Sequence, residues 1–90
     1  MKVRYFALLR DITGCKEEEW TRPADTVGGL IHDLVARYGS SFERWVMKDG
    51  KIWDLVMILV NGRDVRQMSG FETPLKPDDT IVIFPPVGGG

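Results

Sequence analysis

Cysteine and histidine occur once each in the 90 residues, as Cys15 and His32. One thiol excludes an internal disulfide and fits a reducing, cytoplasmic setting, and one of each cannot supply a zinc site. Long hydrophobic runs are missing too. The longest, Leu55 to Val60, is strand-sized, against the ~20 residues a membrane helix requires. The opening Met1-Lys2-Val3-Arg4-Tyr5 carries charge without an apolar h-region, so no signal peptide is expected. Neither sign of charge dominates: 12 Lys and Arg face 13 Asp and Glu, a net charge of -1. The basic residues are scattered rather than striped, which argues against nucleic acid as a partner, as the short apolar runs argue against a membrane.

What is present describes a folded domain, with 43% hydrophobic and 28% charged residues, outside the range of disordered chains. Lys2 to Leu9 reads as a first strand, with Val3, Tyr5 and Ala7 on one face and Lys2, Arg4, Phe6 and Leu8 on the other. The charges mark the second face as exposed. Asp11 to Cys15 is expected to turn at Gly14, and Lys16 to Arg22 to pair back as a second strand anchored by Trp20. After Pro23, Asp25 or Thr26 offers an N-cap. Val27, Leu30, Ile31, Leu34, Val35 and Tyr38 then fall on one helical stripe, closed by Gly39. Gly28 and Gly29 in its first turn are expected where the helix start packs closely on the sheet.

Phe42, Trp45 and Val46 keep helical spacing, and Lys48-Asp49-Gly50 reads as a turn. Leu55 to Val60 is apolar on both parities, as a strand covered on both faces would be. Asn61-Gly62 signals a two-residue hairpin into Arg63-Asp64-Val65-Arg66. Gly70 to Pro77 reads as a loop plugged by Leu75, and Thr80 to Phe84 as the last strand, stopped by Pro85-Pro86. The order strand, strand, helix, strand, short strand, strand is that of an α+β fold, the ubiquitin-like β-grasp. It implies a mixed sheet with one main helix over residues 1–84 and a flexible glycine tail over 85–90. One helix covers one sheet face. If the Thr80, Val82 and Phe84 face is the one that carries Phe6 and Leu8, an apolar patch forms on the other, and such patches often mark partner surfaces.

Glycine is in excess: ten residues, roughly three above a background near 7%. Gly88, Gly89 and Gly90 account for the surplus. Pro85 and Pro86 stiffen the exit from the sheet, and three residues without Cβ make a slim tip that can thread into another protein's active site. A carboxylate there is inert until ATP converts it to an acyl-adenylate open to a sulfur or amine nucleophile. A plain unfastened terminus is the competing reading of glycines alone.

Val3-Arg4-Tyr5-Phe6-Ala7-Leu8-Leu9-Arg10, Val60-Asn61-Gly62, Thr73-Pro74-Leu75, Asp78-Asp79-Thr80 and Phe84-Pro85-Pro86-Val87 before the glycines carry a resemblance along nearly the whole chain. The chain resembles the MoaD/ThiS family of ubiquitin-like sulfur carriers, most closely its molybdopterin synthase small-subunit branch. The stretch from Phe42 to Asp54, long for the thiazole-pathway carriers, tilts toward that branch. The family commonly has Ser, Ala or Thr where this chain has Gly88, a change that loosens the tail without blocking it.

The resemblance implies a sulfur-carrying substrate rather than a complete enzyme, with no bound cofactor of its own. A ubiquitin-activating-type adenylyltransferase would use ATP to adenylate Gly90, and a sulfur donor would convert it to a thiocarboxylate. The tail would then enter the molybdopterin synthase large subunit and give its sulfur to a pterin precursor. Gly90 would carry the chemistry, Gly89 and Gly88 give access, and Val87, Pro86 and Pro85 position the tail. Phe84, Phe6 and Arg10 match positions that contact the partner. The same activation serves a protein modifier joined to lysines through Gly90, and a β-grasp interaction module with an incidental glycine end is the third reading.

Elsewhere the ordinary readings prevail. His32 is expected at the surface, Cys15 in a turn, Glu17-Glu18-Glu19 on a solvated edge strand, and Trp20, Trp45 and Trp53 in core or boundary packing.

Overall fold

The chain turns back on itself so that its first and last strands lie side by side at the middle of one sheet. The computed structural model describes residues 1–86. Strand β1 (Lys2–Tyr5) leads through helix α1 (Leu8–Thr13) to β2 (Glu17–Glu19). Helices α2 (Val27–Tyr38) and α3 (Ser40–Val46) follow, then a small hairpin of β3 (Met47–Lys48) and β4 (Lys51–Ile52). Strands β5 (Met57–Val60) and β6 (Arg63–Asp64) precede two short 3-10 turns at Val65–Gln67 and Gly70–Glu72, and β7 (Thr80–Phe84) completes the sheet. The strand order is β2-β1-β7-β5-β6. β1 pairs parallel with β7, and the other pairs of the sheet are antiparallel. This is the mixed sheet of the ubiquitin-like β-grasp.

Alternation places Val3, Tyr5, Ile58, Val60, Ile81 and Ile83 on the inner face, all buried. They share one core with Val27, Leu30, Ile31 and Leu34 of α2, the 3.6-period stripe of that helix. Thr26 caps α2 by accepting a hydrogen bond from the Gly29 N–H at 3.1 Å, and Gly39 ends it at φ 79°. Gly28 has a different reason from the one expected. A Cβ there would stand 3.1 Å from Phe71 Cδ1 and 3.2 Å from the Phe71 carbonyl oxygen, so the helix start fits against the 70–72 turn rather than the sheet. The hairpin turn at Asn61 and Gly62 takes φ 50° and 86°. Asn61 Nδ2 donates to Asp79 Oδ1 at 2.8 Å while its Oδ1 accepts from the Thr80 N–H at 2.9 Å, which ties that turn to the start of β7.

Several expected boundaries move. The first strand stops at Tyr5 rather than Leu9, because the chain turns at Ala7 (φ 52°, ψ -134°) into α1. The helix buries Leu9 completely and ends at Gly14, whose N–H donates to the Arg10 carbonyl at 2.9 Å. Ala7 and Leu8 therefore do not continue the strand's alternation, and Leu8 leaves the patch to pack beside the core. Helices α1 and α3 add Leu9, Phe42 and Val46 to what one helix was expected to cover. β2 is shorter than Lys16 to Arg22. β5 begins at Met57, since Leu55 sits in a turn and is 57% exposed. Met57 is exposed as well, so this strand is not covered on both faces. β6 ends at Asp64, whose carboxylate accepts from the Arg66 N–H at 2.9 Å and starts a 3-10 turn. Within 70–77, residues Gly70–Glu72 are a 3-10 turn, and Leu75 packs against the core as the expected plug.

The acidic edge is not wholly solvated either. Glu18 accepts hydrogen bonds from the Tyr5 hydroxyl at 2.6 Å and from the Tyr38 hydroxyl, clasping β2 and β1 to α2. Burial, and after it the bond to Glu18, push both phenols above their ordinary range.

Candidate functional site

Among the described residues, no helix lies over the outer face of the sheet. Alternation places Lys2 and Arg4 of β1, Thr80, Val82 and Phe84 of β7, and Met57 and Leu59 of β5 there. Register aligns them in rows: Lys2 beside Thr80, Arg4 beside Val82 beside Leu59, and Phe84 beside Met57. Glu17 neutralises the cationic corner, with Lys2 Nζ at 3.6 Å and Arg4 Nε at 3.5 Å. These are exposed pairs that set charge more than stability. Val82, Phe84, Met57 and Leu59 are the apolar part of these rows, and Asp64 of β6, opposite Leu59, adds a carboxylate at the far edge.

Because β1 and β7 run parallel, the residue after β1 and the last residue of β7 reach the same pole. There the Phe6 and Phe84 rings stack, with centroids 4.5 Å apart and planes inclined by 21°. The Arg10 guanidinium lies 4.7 Å above the Phe6 ring, and the Arg4 guanidinium 5.6 Å from it. Cations over aromatic faces at such distances contribute about 0.5–1 kcal/mol each at exposed sites. Arg10 is held there by its Nε, which donates to the Tyr5 carbonyl at 2.8 Å. Helix α1 is what carries Arg10 back over β1; a continued strand would have carried it away.

Phe6, Arg10 and Phe84 are thus brought together, and Pro85 and Pro86 follow directly, both buried. Val87, Gly88, Gly89 and Gly90 lie outside the described residues. Chemically, the pole offers a flat aromatic surface edged by two guanidinium groups, immediately where the chain leaves the sheet. Such a surface suits a protein partner with an apolar centre and an acidic rim. Met57, 41% exposed, adds a thioether beside Phe84. It was hidden in a run of six apolar residues whose two parities look alike, and only the pairing register distinguishes them.

The other candidates contribute no ring or cation to this stack, although Cys15 lies at the same end of the sheet, next to Lys16, whose carbonyl accepts from the Tyr5 N–H. His32 is exposed on α2, and Cys15 is half-buried with its Sγ 3.8 Å from Thr13 Oγ1. Trp20 is core, and its indole N–H has no hydrogen-bond partner among the described residues. A cleft of about 480 Å³ beside Trp20, Pro23, Leu75 and Pro77 opens at the end of the sheet remote from Phe84. Among the described residues no three His, Cys, Asp or Glu side chains gather as a metal site, and no helix is long and apolar enough to cross a membrane.

A family model described as the ThiS family matches residues 3–90. Small archaeal modifier protein 3 of Haloferax volcanii is 36% identical over 91 residues, covering 100% of this chain and 98% of that protein. The molybdopterin synthase sulfur carrier subunit of Escherichia coli is 30% identical over 92 residues, covering 100% of this chain and 99% of its own. A chain in the crystal structure of the Amycolatopsis orientalis BexX/CysO complex superposes with a TM-score of 0.83 at 33% identity, over 99% of this chain and 98% of that one.

Proposed function

Because this chain belongs to the ThiS family of ubiquitin-like sulfur carriers, we propose that Gly90 is its reactive residue and that the sulfur it carries goes to a pterin precursor. The observation that carries this reading is the Phe6–Phe84 stack capped by Arg10, a docking face placed where the chain leaves the sheet toward its glycines. The full-length likeness to a molybdopterin synthase sulfur carrier subunit supports the choice of acceptor.

In the first step a carboxylate oxygen of Gly90 attacks the α-phosphorus of ATP on a ubiquitin-activating-type adenylyltransferase, and pyrophosphate leaves. The terminal sulfur of a donor persulfide then attacks the acyl carbon and expels AMP. A thiol reduces the resulting acyl disulfide, which frees the thiocarboxylate. Phe6, Phe84 and Arg10 dock the partner, Pro85, Pro86 and Val87 direct the tail, and Gly88 and Gly89 let it enter a narrow channel. Inside the molybdopterin synthase large subunit the thiocarboxylate sulfur attacks an electrophilic carbon of the precursor and displaces an oxygen leaving group. Water then hydrolyses the resulting thioester, leaving the sulfur on the precursor as a thiol and returning the Gly90 carboxylate.

The 36% identity to a small archaeal modifier protein favours a second use of the same activated carbonyl, attack by a lysine amine to form an isopeptide bond. Incubation with the adenylyltransferase, ATP and a persulfide donor distinguishes the outcomes by intact mass. Exchange of one oxygen for sulfur supports the carrier, and adducts on lysines of other proteins support the modifier. If neither forms, both readings fail.

A further inference from the structure

Met57 stands out among the four methionines of the chain. Met1 is buried and Met47 is half-buried beside the core, whereas Met57 is 41% and Met68 36% exposed. Only Met57 lies on the outer face of the sheet. It is directly opposite Phe84, which in turn stacks on Phe6, and Leu59 two residues on shares its face. The side chains flanking it in the sheet, Phe84, Leu59 and Val82, carry no hydrogen-bond donor. A thioether suits that setting, being apolar, polarizable and adaptable to the shape of a partner.

We propose that Met57 is a modification site for hydroperoxide-class oxidants, and that its oxidation to the sulfoxide switches off docking at the tail-bearing face. The proposal rests on the reading of that face as the partner surface. A lone pair on the Met57 sulfur attacks one peroxide oxygen, an S–O bond forms, and the O–O bond breaks. The sulfur loses two electrons and the peroxide is reduced to water, its displaced oxygen taking up the transferred proton. The product places a strong acceptor beside Phe84, Leu59 and Val82, none of which can donate to it, while the Arg66 guanidinium on the other side of β5 is already engaged by the Asp64 carboxylate and the Asp54 carbonyl. Docking would bury that oxygen unpartnered, a desolvation cost that opposes association. The modification is reversible by thiol-dependent methionine sulfoxide reductases, which remove the oxygen as water at the expense of a dithiol. Exposure makes Met57 accessible to such an enzyme.

Hydrogen peroxide treatment of the whole chain, followed by peptide mass mapping, reads the site. Affinity for the activating adenylyltransferase, measured by calorimetry before and after treatment, reads the consequence. One oxygen should appear on Met57 ahead of Met1 and Met47, and docking should weaken about tenfold, equivalent to about 1.4 kcal/mol, with recovery after reductase treatment. Met57→Leu, whatever its own affinity, should bind alike before and after peroxide, while Met68→Leu should remain sensitive. The inference is overturned if Met57 resists while Met68 oxidises, if oxidised protein docks as well as untreated protein, or if Met57→Leu keeps the sensitivity. Untreated protein that does not bind the adenylyltransferase at all would instead overturn the docking reading beneath it.

Discussion

The two faces of β7 carry nearly the same chemistry and have opposite fates. Ile81 and Ile83 point inward and are fully buried under α2, while Val82 and Phe84 point outward and stay half-exposed. The strand is one and the hydrophobicity is shared. What differs is cover: among the described residues, three helices serve the inner face and none serves the outer. Apolar area removed from water stabilises the fold, whereas apolar area left in water is available to a partner. The comparison separates residues that hold the domain together from residues left open at its surface, within four consecutive positions.

The largest effect should come from the inner face. Ile83→Ala removes a fully buried side chain and should cost about 2–4 kcal/mol, seen as a marked fall in the urea or thermal midpoint. A loss no greater than that of an outward neighbour would erase the distinction. On the outer face, Phe84→Ala should lower stability by only about 1 kcal/mol yet weaken docking to the adenylyltransferase tenfold or more, by about 1.4 kcal/mol. Collapse of the fold would move Phe84 to the other side of the comparison.

The smallest effect is confined to alkaline solution and tests whether the inner face extends to the Glu18 clasp. Tyr5 and Tyr38 hold their protons in the fold above the ordinary phenol value of 10.0. Their contribution is therefore complete below about pH 10, and is lost as the pH rises from the unfolded value toward the folded ones. Urea midpoints should fall as the pH rises above about 10, and Tyr5→Phe should flatten that fall. A midpoint level over that rise in the unaltered protein would show that the clasp contributes nothing to it.

How far the molecule was legible depended on whether the governing signal was local. α2 was, because a capping threonine, a 3.6-residue stripe and a closing glycine all agree over Thr26 to Gly39. The Asn61-Gly62 turn and the last strand were, each marked by residues that few other conformations favour. Helix α1 was not: Leu8, Leu9 and Ile12 suit a strand's end as well as a single helical turn, and the turn at Ala7 uses a backbone angle that alanine rarely adopts. Parity placed Phe6 and Phe84 on one face. Their stacking depends on the parallel register of β1 with β7, which no stretch of neighbouring residues records. Arg10 was reached through family likeness, since its position over Phe6 follows from α1. Glu18 looked like its two acidic neighbours, and only the approach of Tyr38 from another element sets it apart.

The parallel pairing of β1 with β7 joins Lys2 to Thr80, so the centre of the sheet closes between residues almost a whole chain apart. Contacts of such long sequence separation bear the loop-closure entropy before they return any stability, and they form late and slowly. Until β7 inserts, β1 and β5 have no neighbour between them, Ile81 and Ile83 are missing from the core, and Phe6 has no ring to lie against. The stem of the tail and the body that displays it consequently mature in the same event. A partner that requires stacked rings beside that stem is thereby a reporter of completed folding: it can engage finished molecules and passes over every half-folded one.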